Sequence, residues 1–312
     1  MQLVRGLCNL KPDDRGSAVA IGNFDGVHLG HQALVRAVHE HAAADGRRRV
    51  VLTFEPHPRE YLDPASAPPR LMRVSEKCPA LAALGVERVV VMHFDEQLRR
   101  QSAEEFVERV LVAGLGARYV VVGDGFCFGR QRGGNVATLR EAGARHGFEV
   151  ITVAPVELDG ERVSSTRVRA LLAAGDLPGA ARLLGRPYSL CGRVIAGARL
   201  GRQLGFATAN IRLHRAKLPL RGVFAVRVRG AGSGGALDGV ASLGTRPTVD
   251  GVEPLLETHV FDFAGDLYGQ RLAVDFVAKL RDEERFASLE ALTQQMHRDA
   301  ARAREILAAR AA

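Results

Sequence analysis

Ala18-Val19-Ala20-Ile21-Gly22-Asn23-Phe24-Asp25-Gly26-Val27-His28-Leu29-Gly30-His31 decides the fold. Four apolar residues read as a short strand that stops at Gly22, passes through a Gly/Asn/Asp loop and enters a helix. Ala33, Leu34, Ala37 and Val38 recur at the three- and four-residue spacing that one face of a helix requires. A strand feeding a helix through a glycine loop is the opening unit of an α/β domain. The first backbone N–H groups of such a helix lack intrahelical partners, and its dipole places about half a positive charge there, so phosphate is the natural guest. Gly30 lets backbone approach that guest closely, and two imidazoles can donate hydrogen bonds to charge developing on a phosphorus centre. A single histidine at a helix start is most simply structural. His-x-Gly-His directly after strand and glycine loop points to phosphate chemistry.

Outward from that stretch, residues 1–184 alternate strand and helix signals. Strands are expected at Ala18–Ile21, Arg49–Phe54, Arg88–Phe94, Tyr119–Gly123 and Phe148–Val153, and helices at His31–Ala44, Ser75–Leu84, Ala103–Ala113 and Asn135–His146. Val89-Val90-Val91 and Val120-Val121-Val122 are continuous apolar runs, as in parallel strands buried on both faces. Two further helical pieces, Val168–Ala174 and Leu177–Leu184, lead to the break Gly185-Arg186-Pro187. Beyond it the texture is β, with runs at Tyr188–Ala196, Val223–Val228, Val240–Leu243, Leu256–Phe263 and Leu272–Leu280 between glycine-rich turns. An amphipathic helix, Leu289–Ala309, follows Ser288 as cap and presents Leu289, Leu292, Met296, Ala300, Ala303 and Leu307 as its apolar stripe. The expected architecture is α/β followed by β: a doubly wound parallel-sheet domain over 1–184, then a small antiparallel barrel with a C-terminal helix over 187–312.

A chain of 312 residues has room for two such domains. The net charge of +8 invites a nucleic-acid reading. However, the arginines are spread along the chain, there is no Trp, and few aromatics interleave with basic residues, so a stacking platform for single strands is not expected. The basicity suits solvated faces and phosphorylated small molecules. Cys8, Cys78, Cys127 and Cys191 form no Cys-x-x-Cys pair, which speaks against a zinc or disulfide framework and for a reducing, cytoplasmic setting. Neither a signal peptide nor a membrane span is expected from the N-terminal residues. Nothing in the sequence specifies an oligomeric state.

Three further clusters carry chemistry. Val163-Ser164-Ser165-Thr166-Arg167-Val168-Arg169 places hydroxyls and arginines at a helix start. Alone it reads as a cap; beside His-x-Gly-His it reads as a second phosphate edge. Gly201-Arg202-Gln203-Leu204-Gly205-Phe206-Ala207-Thr208-Ala209-Asn210 joins a glycine-rich turn to two uncharged oxygen donors suited to phosphate and Mg²⁺, although a glycine-rich turn is also simply a loop. In the strand Leu256–Phe263, Glu257 and His259 share a face, either solvated or functional.

Gly22–His31 with Ser165-Thr166-x-x-Arg169 resembles the nucleotidyltransferase superfamily. Together with Thr53-Phe54-Glu55-Pro56-His57-Pro58 and Val122-Gly123-Asp124-Gly125-Phe126-Cys127-Phe128-Gly129, it resembles the bacterial bifunctional riboflavin kinase/FAD synthetase family over nearly the whole chain. The resemblance implies ATP binding by Gly22, Asn23, Phe24, Asp25, Gly30, Ser165 and Thr166. His28, His31 and Arg169 would act on the phosphates during adenylyl transfer to FMN. Phe126 and Phe128 are flavin candidates, or plain core. In the second half it implies ATP contacts at Gly201 and Gly205, Mg²⁺ at Thr208 and Asn210, Glu257 as catalytic base toward riboflavin, and Arg285 near the flavin. The pattern departs from the family at Gly125, usually Asp or Asn, at Ala207, usually Pro, and at Ser242, commonly Asn. The first departure leaves open a chain in which only the kinase works. A flavin- or nucleotide-responsive regulator without catalysis is the reading from another class.

Overall fold

The computed structural model describes residues 1–11, 15–197, 205–232, 234–248 and 251–309. Its internal contacts divide the chain into two units, Met1–Pro68 with Met72–Ser164, and Pro69–Leu71 with Ser165–Ala312.

In the first unit six parallel strands, β1 (Gln2–Arg5), β2 (Ala18–Ile21), β3 (Arg49–Glu55), β4 (Arg88–His93), β5 (Tyr119–Gly123) and β6 (Glu149–Val153), lie in the order β1-β4-β3-β2-β5-β6. From β2 the chain winds first to one side and later to the other, so the strand order reverses between β2 and β5. The crevice outside the carboxyl ends of two such strands is where doubly wound sheets bind ligands. Val19, Ile21, Val50, Leu52, Val120 and Val122 join one apolar core and Ala18, Ala20, Val51, Val89 and Val121 another, one on each sheet face. Burial on both faces explains why these strands read as unbroken apolar runs.

The helices are α1 (Leu29–Ala44), α2 (Pro58–Leu62), α3 (Val74–Ala83), α4 (Glu96–Arg100), α5 (Ala103–Phe106) and α6 (Val136–His146). Beyond α5 the expected helix continues as a wider π turn over Val107–Gly114, where a Cβ on Gly114 would sit 3.0 Å from the Arg109 carbonyl and 3.1 Å from Leu7. Strand β1 was not among the expected elements. Its exposed Gln2, Leu3 and Arg5 obscure the pattern, and only Val4 is buried.

The second unit contains α7 (Ser165–Ala174), α8 (Leu177–Leu184) and a closed barrel of β9 (Tyr188–Ile195), β10 (Ala209–Arg212), β11 (Gly222–Arg229), β12 (Leu237–Thr248), β13 (Gly251–Val260) and β14 (Arg271–Arg281). Between the sheet and α7, β7 (Glu157–Leu158) and β8 (Glu161–Arg162) form a small hairpin of the first unit. Every described barrel pairing is antiparallel. Closure removes open sheet edges. Phe224 and Phe276 meet edge to face at 5.1 Å among the fully buried side chains.

The final helix, α9 (Leu289–Ala309), is capped by the Ser288 hydroxyl, which accepts from the Ala291 N–H at 3.2 Å. Ala303 and Leu307 pack on Ala225, Phe261 and Val277 outside the barrel. The expected stripe therefore docks at its C-terminal half. Leu289, at its other end, is 58% exposed, and one turn before Ala303 the buried position is Asp299.

Candidate active sites

In the first unit, β2 ends at Gly22, whose N–H donates to the Leu52 carbonyl of β3 at 3.1 Å. The loop then bends through Phe24 (φ 49°) and Val27 (φ 46°), two left-handed conformations carried by side chains that are almost wholly buried. A β-branched residue there is strained, and such strain persists only where surrounding packing holds it. His28 occupies the N-cap of α1, its Nδ1 accepting from the His31 N–H at 3.4 Å. The two imidazoles stack with ring centroids 3.7 Å apart, and His31 lies 5.0 Å from the Phe24 ring. A Cβ on Gly30 would stand 3.1 Å from the His28 ring and 3.7 Å from the Val163 carbonyl. Any side chain there would press the imidazole away from the helix start by a few tenths of an ångström. Two imidazoles and the start of α1 thus stand at the carboxyl end of β2, and the start of a helix is a favourable place for phosphate oxygens.

Beneath the loop is a support that the sequence reading missed. The Lys77 ammonium on α3 donates to the Asn23 carbonyl at 2.5 Å and to Thr53 Oγ1 at 3.3 Å, and the Thr53 hydroxyl also donates to the Asn23 carbonyl at 3.1 Å. Lys77 is 4% exposed and Thr53 wholly buried. A lysine in an amphipathic helix is normally taken as solvated, so its pattern carries no signal. Asp25, 3% exposed, accepts from the Met72 N–H at 2.9 Å.

After β5, Phe126 and Phe128 stack at 5.4 Å and 17°. Phe128 is buried against Phe106 in the core, whereas Phe126 is only partly covered. Of the two flavin candidates, the ring of Phe126 is the more available. A Cβ on Gly125 would meet nothing within 4 Å, so the residue that departs from the family pattern stands in open space.

Ser165, Thr166 and Arg169 open α7 and group with the second unit, while His28 and His31 lie in the first. Arg169 Nε donates to the Pro69 carbonyl at 2.6 Å.

In the second unit, register does the assembling. Glu257 on β13 lies directly opposite Asn210 on β10 and Ser242 on β12. Directly opposed residues have Cβ atoms about 4.5–5.5 Å apart and share one sheet face. Beside this row is a cavity of 500 Å³ lined by Thr208, Asn210, Thr258 and His259 together with Gly197. Asn210 is 9% exposed, and a Cβ on Gly197 would run into its amide. His259 Nδ1 pairs with the Ala207 carbonyl at 2.9 Å, and its ring meets Phe206 edge to face at 5.1 Å. His259 therefore holds the segment between Gly205 and Thr208, with Gly205 at φ 82°. Gly201 lies outside the described residues. Arg285 is exposed in the connection between β14 and α9.

Thr208 and Asn210 supply a hydroxyl and an amide oxygen. Such hard, neutral donors suit Mg²⁺ when phosphate oxygens complete the shell. Among the described residues no three His, Cys, Asp or Glu side chains converge on a metal position. The described cysteines are all unbridged, and no described helix is long and apolar enough to cross a membrane.

The family description FAD synthetase matches residues 10–167, and riboflavin kinase matches residues 184–307. The chain is 50% identical over 309 residues to a bifunctional riboflavin kinase/FMN adenylyltransferase of Pseudomonas fluorescens, covering 99% of this chain and 98% of that protein. The chain belongs to the bifunctional riboflavin kinase/FMN adenylyltransferase family. A member from Escherichia coli K12 is 43% identical over 310 residues, 98% of this chain and 97% of that protein. A solved structure described as a macrolide-efflux protein from Streptococcus pneumoniae has a TM-score of 0.80 at 30% identity, covering 96% of this chain and 97% of that one. The order of the two family descriptions is that of parallel sheet and barrel. Within this family frame, the stacked histidines fall in the FAD synthetase stretch and the Asn210–Glu257–Ser242 row in the riboflavin kinase stretch.

Proposed function

We propose that the barrel transfers the γ-phosphoryl group of ATP to the ribityl 5′-hydroxyl of riboflavin, giving FMN and ADP. The parallel-sheet domain then joins the adenylyl group of a second ATP to the FMN phosphate, giving FAD and pyrophosphate. The observation that carries the reading is the register placing Glu257 between Asn210 and Ser242, beside the cavity that Thr208 and Asn210 line. Glu257 takes the 5′-hydroxyl proton as that oxygen attacks phosphorus, a general-base role worth roughly 10²–10⁴ in rate. Thr208 and Asn210 would hold Mg²⁺ together with the ATP phosphates, and the bound ion would supply positive charge toward the transferring group. In the first site His28 and His31 donate hydrogen bonds to the α-phosphoryl oxygens during in-line attack by the FMN phosphate. No covalent nucleophile is required, because positioning and charge neutralisation dominate this chemistry. Gly22, Asn23, Phe24, Asp25 and Gly30 shape the ATP pocket, and Ser165, Thr166 and Arg169 receive the departing pyrophosphate. Phe126 and Arg285 contact flavin in the two sites.

The functional division follows 1–184 and 187–312, with Gly185 ending α8 in a left-handed cap (φ 69°). The setting is the cytoplasm, the partners are small molecules, and nucleic acid is not among them. Purified chain incubated with riboflavin, ATP and Mg²⁺, followed by separation of the flavins, tests the reading. FMN with FAD is expected. FMN alone would assign catalysis to the barrel only, in line with the bare loop at Gly125, and binding without product would leave a regulator.

A further inference from the structure

α9 carries several ion pairs, and one differs from the rest. Arg304–Asp262 and Arg302–Glu305 are exposed, with side chains 51%/77% and 66%/66% accessible. Arg281–Asp299 is 17%/8% accessible. Exposed pairs contribute little, but a buried carboxylate in the middle of a helix is costly unless fully partnered. Asp299 is: Arg281 Nε donates to both its oxygens at 3.2 and 3.0 Å, Arg281 Nη2 donates at 2.8 Å, and Gln295 Nε2 adds a donor at 2.8 Å. A leucine at position 299 would dock the helix on the barrel as well, since apolar replacements of buried pairs are often neutral or stabilising. What the charged pair adds is geometry.

That geometry concerns the connection 282–288. The same guanidinium donates from Nη1 to the Asp282 carbonyl at 2.9 Å and lies 5.5 Å from the Phe286 ring centroid. Lys279 pairs with Asp282 at 2.6 Å. Further along, the Glu283 carboxylate lies against Gly244, where a Cβ would collide with it. Gly244 is two residues from Ser242 on β12 and so on the same face, and Ser242 is the cross-strand neighbour of Glu257. The connection carrying Arg285 and Phe286 is thus rooted at Arg281 and laid along the strand face that presents Glu257.

We propose that Asp299, acting through Arg281, is a positioning residue for the flavin substrate: the pair holds the 282–288 connection as one wall of the riboflavin site. This rests on the assignment of riboflavin phosphorylation to the barrel. A fixed wall with a ring and a cation suits the planar, polar-edged isoalloxazine, whereas ATP is held at the Thr208–Asn210 side.

The test compares the full chain with Asp299→Asn, Asp299→Glu, Gln295→Leu and, as control for simple helix docking, Arg304→Met. FMN formation is measured against riboflavin at saturating ATP and against ATP at saturating riboflavin, with FAD formation from supplied FMN and thermal unfolding alongside. Asp299→Asn is expected to raise the riboflavin KM about fivefold or more, with the ATP KM within about twofold, because it removes the charge from one partner of a buried pair. Asp299→Glu restores part of that loss, and Arg304→Met leaves both KM values unchanged. Gln295→Leu removes one hydrogen bond and is expected to raise the riboflavin KM about two- to threefold. It decides the matter if Asp299→Asn fails to fold. An unchanged riboflavin KM, or riboflavin and ATP KM values rising together, overturns the proposal. Wild-type chain that makes no FMN sinks the kinase assignment and this inference with it, whereas wild-type FMN with unaltered variants sinks the inference alone.

Discussion

Replacing Gly197 by alanine adds one methyl group at the edge of the kinase cavity. The Cβ would fall inside the Asn210 amide, well under the 3.4 Å at which ordinary van der Waals contact begins, so the amide must retreat by roughly an ångström. Asn210 has little freedom to do so in place, being 9% exposed and set in the β10–β13 register opposite Glu257. Its χ angles must turn, which takes the amide oxygen away from the position proposed to hold Mg²⁺ and ATP phosphate. A misplacement of about 1 Å near the reacting groups can cost about 10²-fold in rate, and that is the loss expected in kcat/KM for FMN formation. The three atoms nearest the added methyl all belong to Asn210, so FAD formation from supplied FMN should stay within about twofold of wild type, as for independent sites. The assay is steady-state flavin analysis of both reactions on one preparation, with thermal unfolding to confirm that the barrel is intact. A folded Gly197→Ala chain that phosphorylates riboflavin within about threefold of wild type would refute the placement of Asn210 in the site.

Glu257→Gln keeps size and hydrogen bonding but cannot accept the proton; FMN formation should fall by about 10² or more while adenylyl transfer persists. His28→Ala and His31→Ala should each lower FAD formation from FMN by roughly 10²–10³ and leave FMN formation intact, and a variant that stops both reactions while folded would contradict the division of labour. His39 on α1 has its pKa lowered, mainly by burial and then by Arg49, against a smaller opposing effect of Glu87. A lowered histidine pKa means that the unfolded chain binds more protons as pH falls, so stability is lost from the ordinary histidine range downward. In His39→Gln the melting temperature of the first unit should decline less between about pH 7.5 and 5.5 than in wild type, and parallel declines would exclude this source. A fragment from Pro187 to Ala312 should phosphorylate riboflavin but unfold at least about 5 °C below the barrel of the full chain. It gives up α8, with Leu177, Leu183 and Leu184 each about 1% exposed, and a folded fragment inactive at saturating substrates would move the functional boundary.

Much of this architecture was legible because local pattern and tertiary environment agree. Tyr119–Gly123, Ala18–Ile21 and Leu289–Ala309 run where the apolar periods place them. What escaped were elements whose identity is set by neighbours. β1 and β10 are only four residues long and owe their strand conformation to β4 on one hand and to β9 and β13 on the other. Among the candidate site residues, His28 and His31 could be singled out by type and spacing, and Glu257 through the family resemblance. Lys77 and Asp299 could not, because a charged residue on an amphipathic helix gives no sign of burial until its partners, Asn23 and Thr53 for one and Arg281 for the other, arrive from elsewhere. The family match to FAD synthetase and riboflavin kinase carries the two activities across nearly the whole chain.

The grouping of Pro69–Leu71 with Ser165–Ala312 has a consequence for how the chain can be made. The Leu71 carbonyl accepts from the Tyr188 hydroxyl at 3.1 Å, and the Arg70 carbonyl from Arg215 at 2.8 Å, over sequence separations of 117 and 145 residues. On the ribosome these acceptors emerge long before their donors, while Met72, the next residue, already has its own anchor at Asp25. The early half can therefore close its sheet before the Tyr188 and Arg215 donors exist, and these two hydrogen bonds form once the late half is made. Contacts of such span close slowly and late. Refolding of the whole chain should thus show a final step, common to both halves, that neither half displays when synthesised alone.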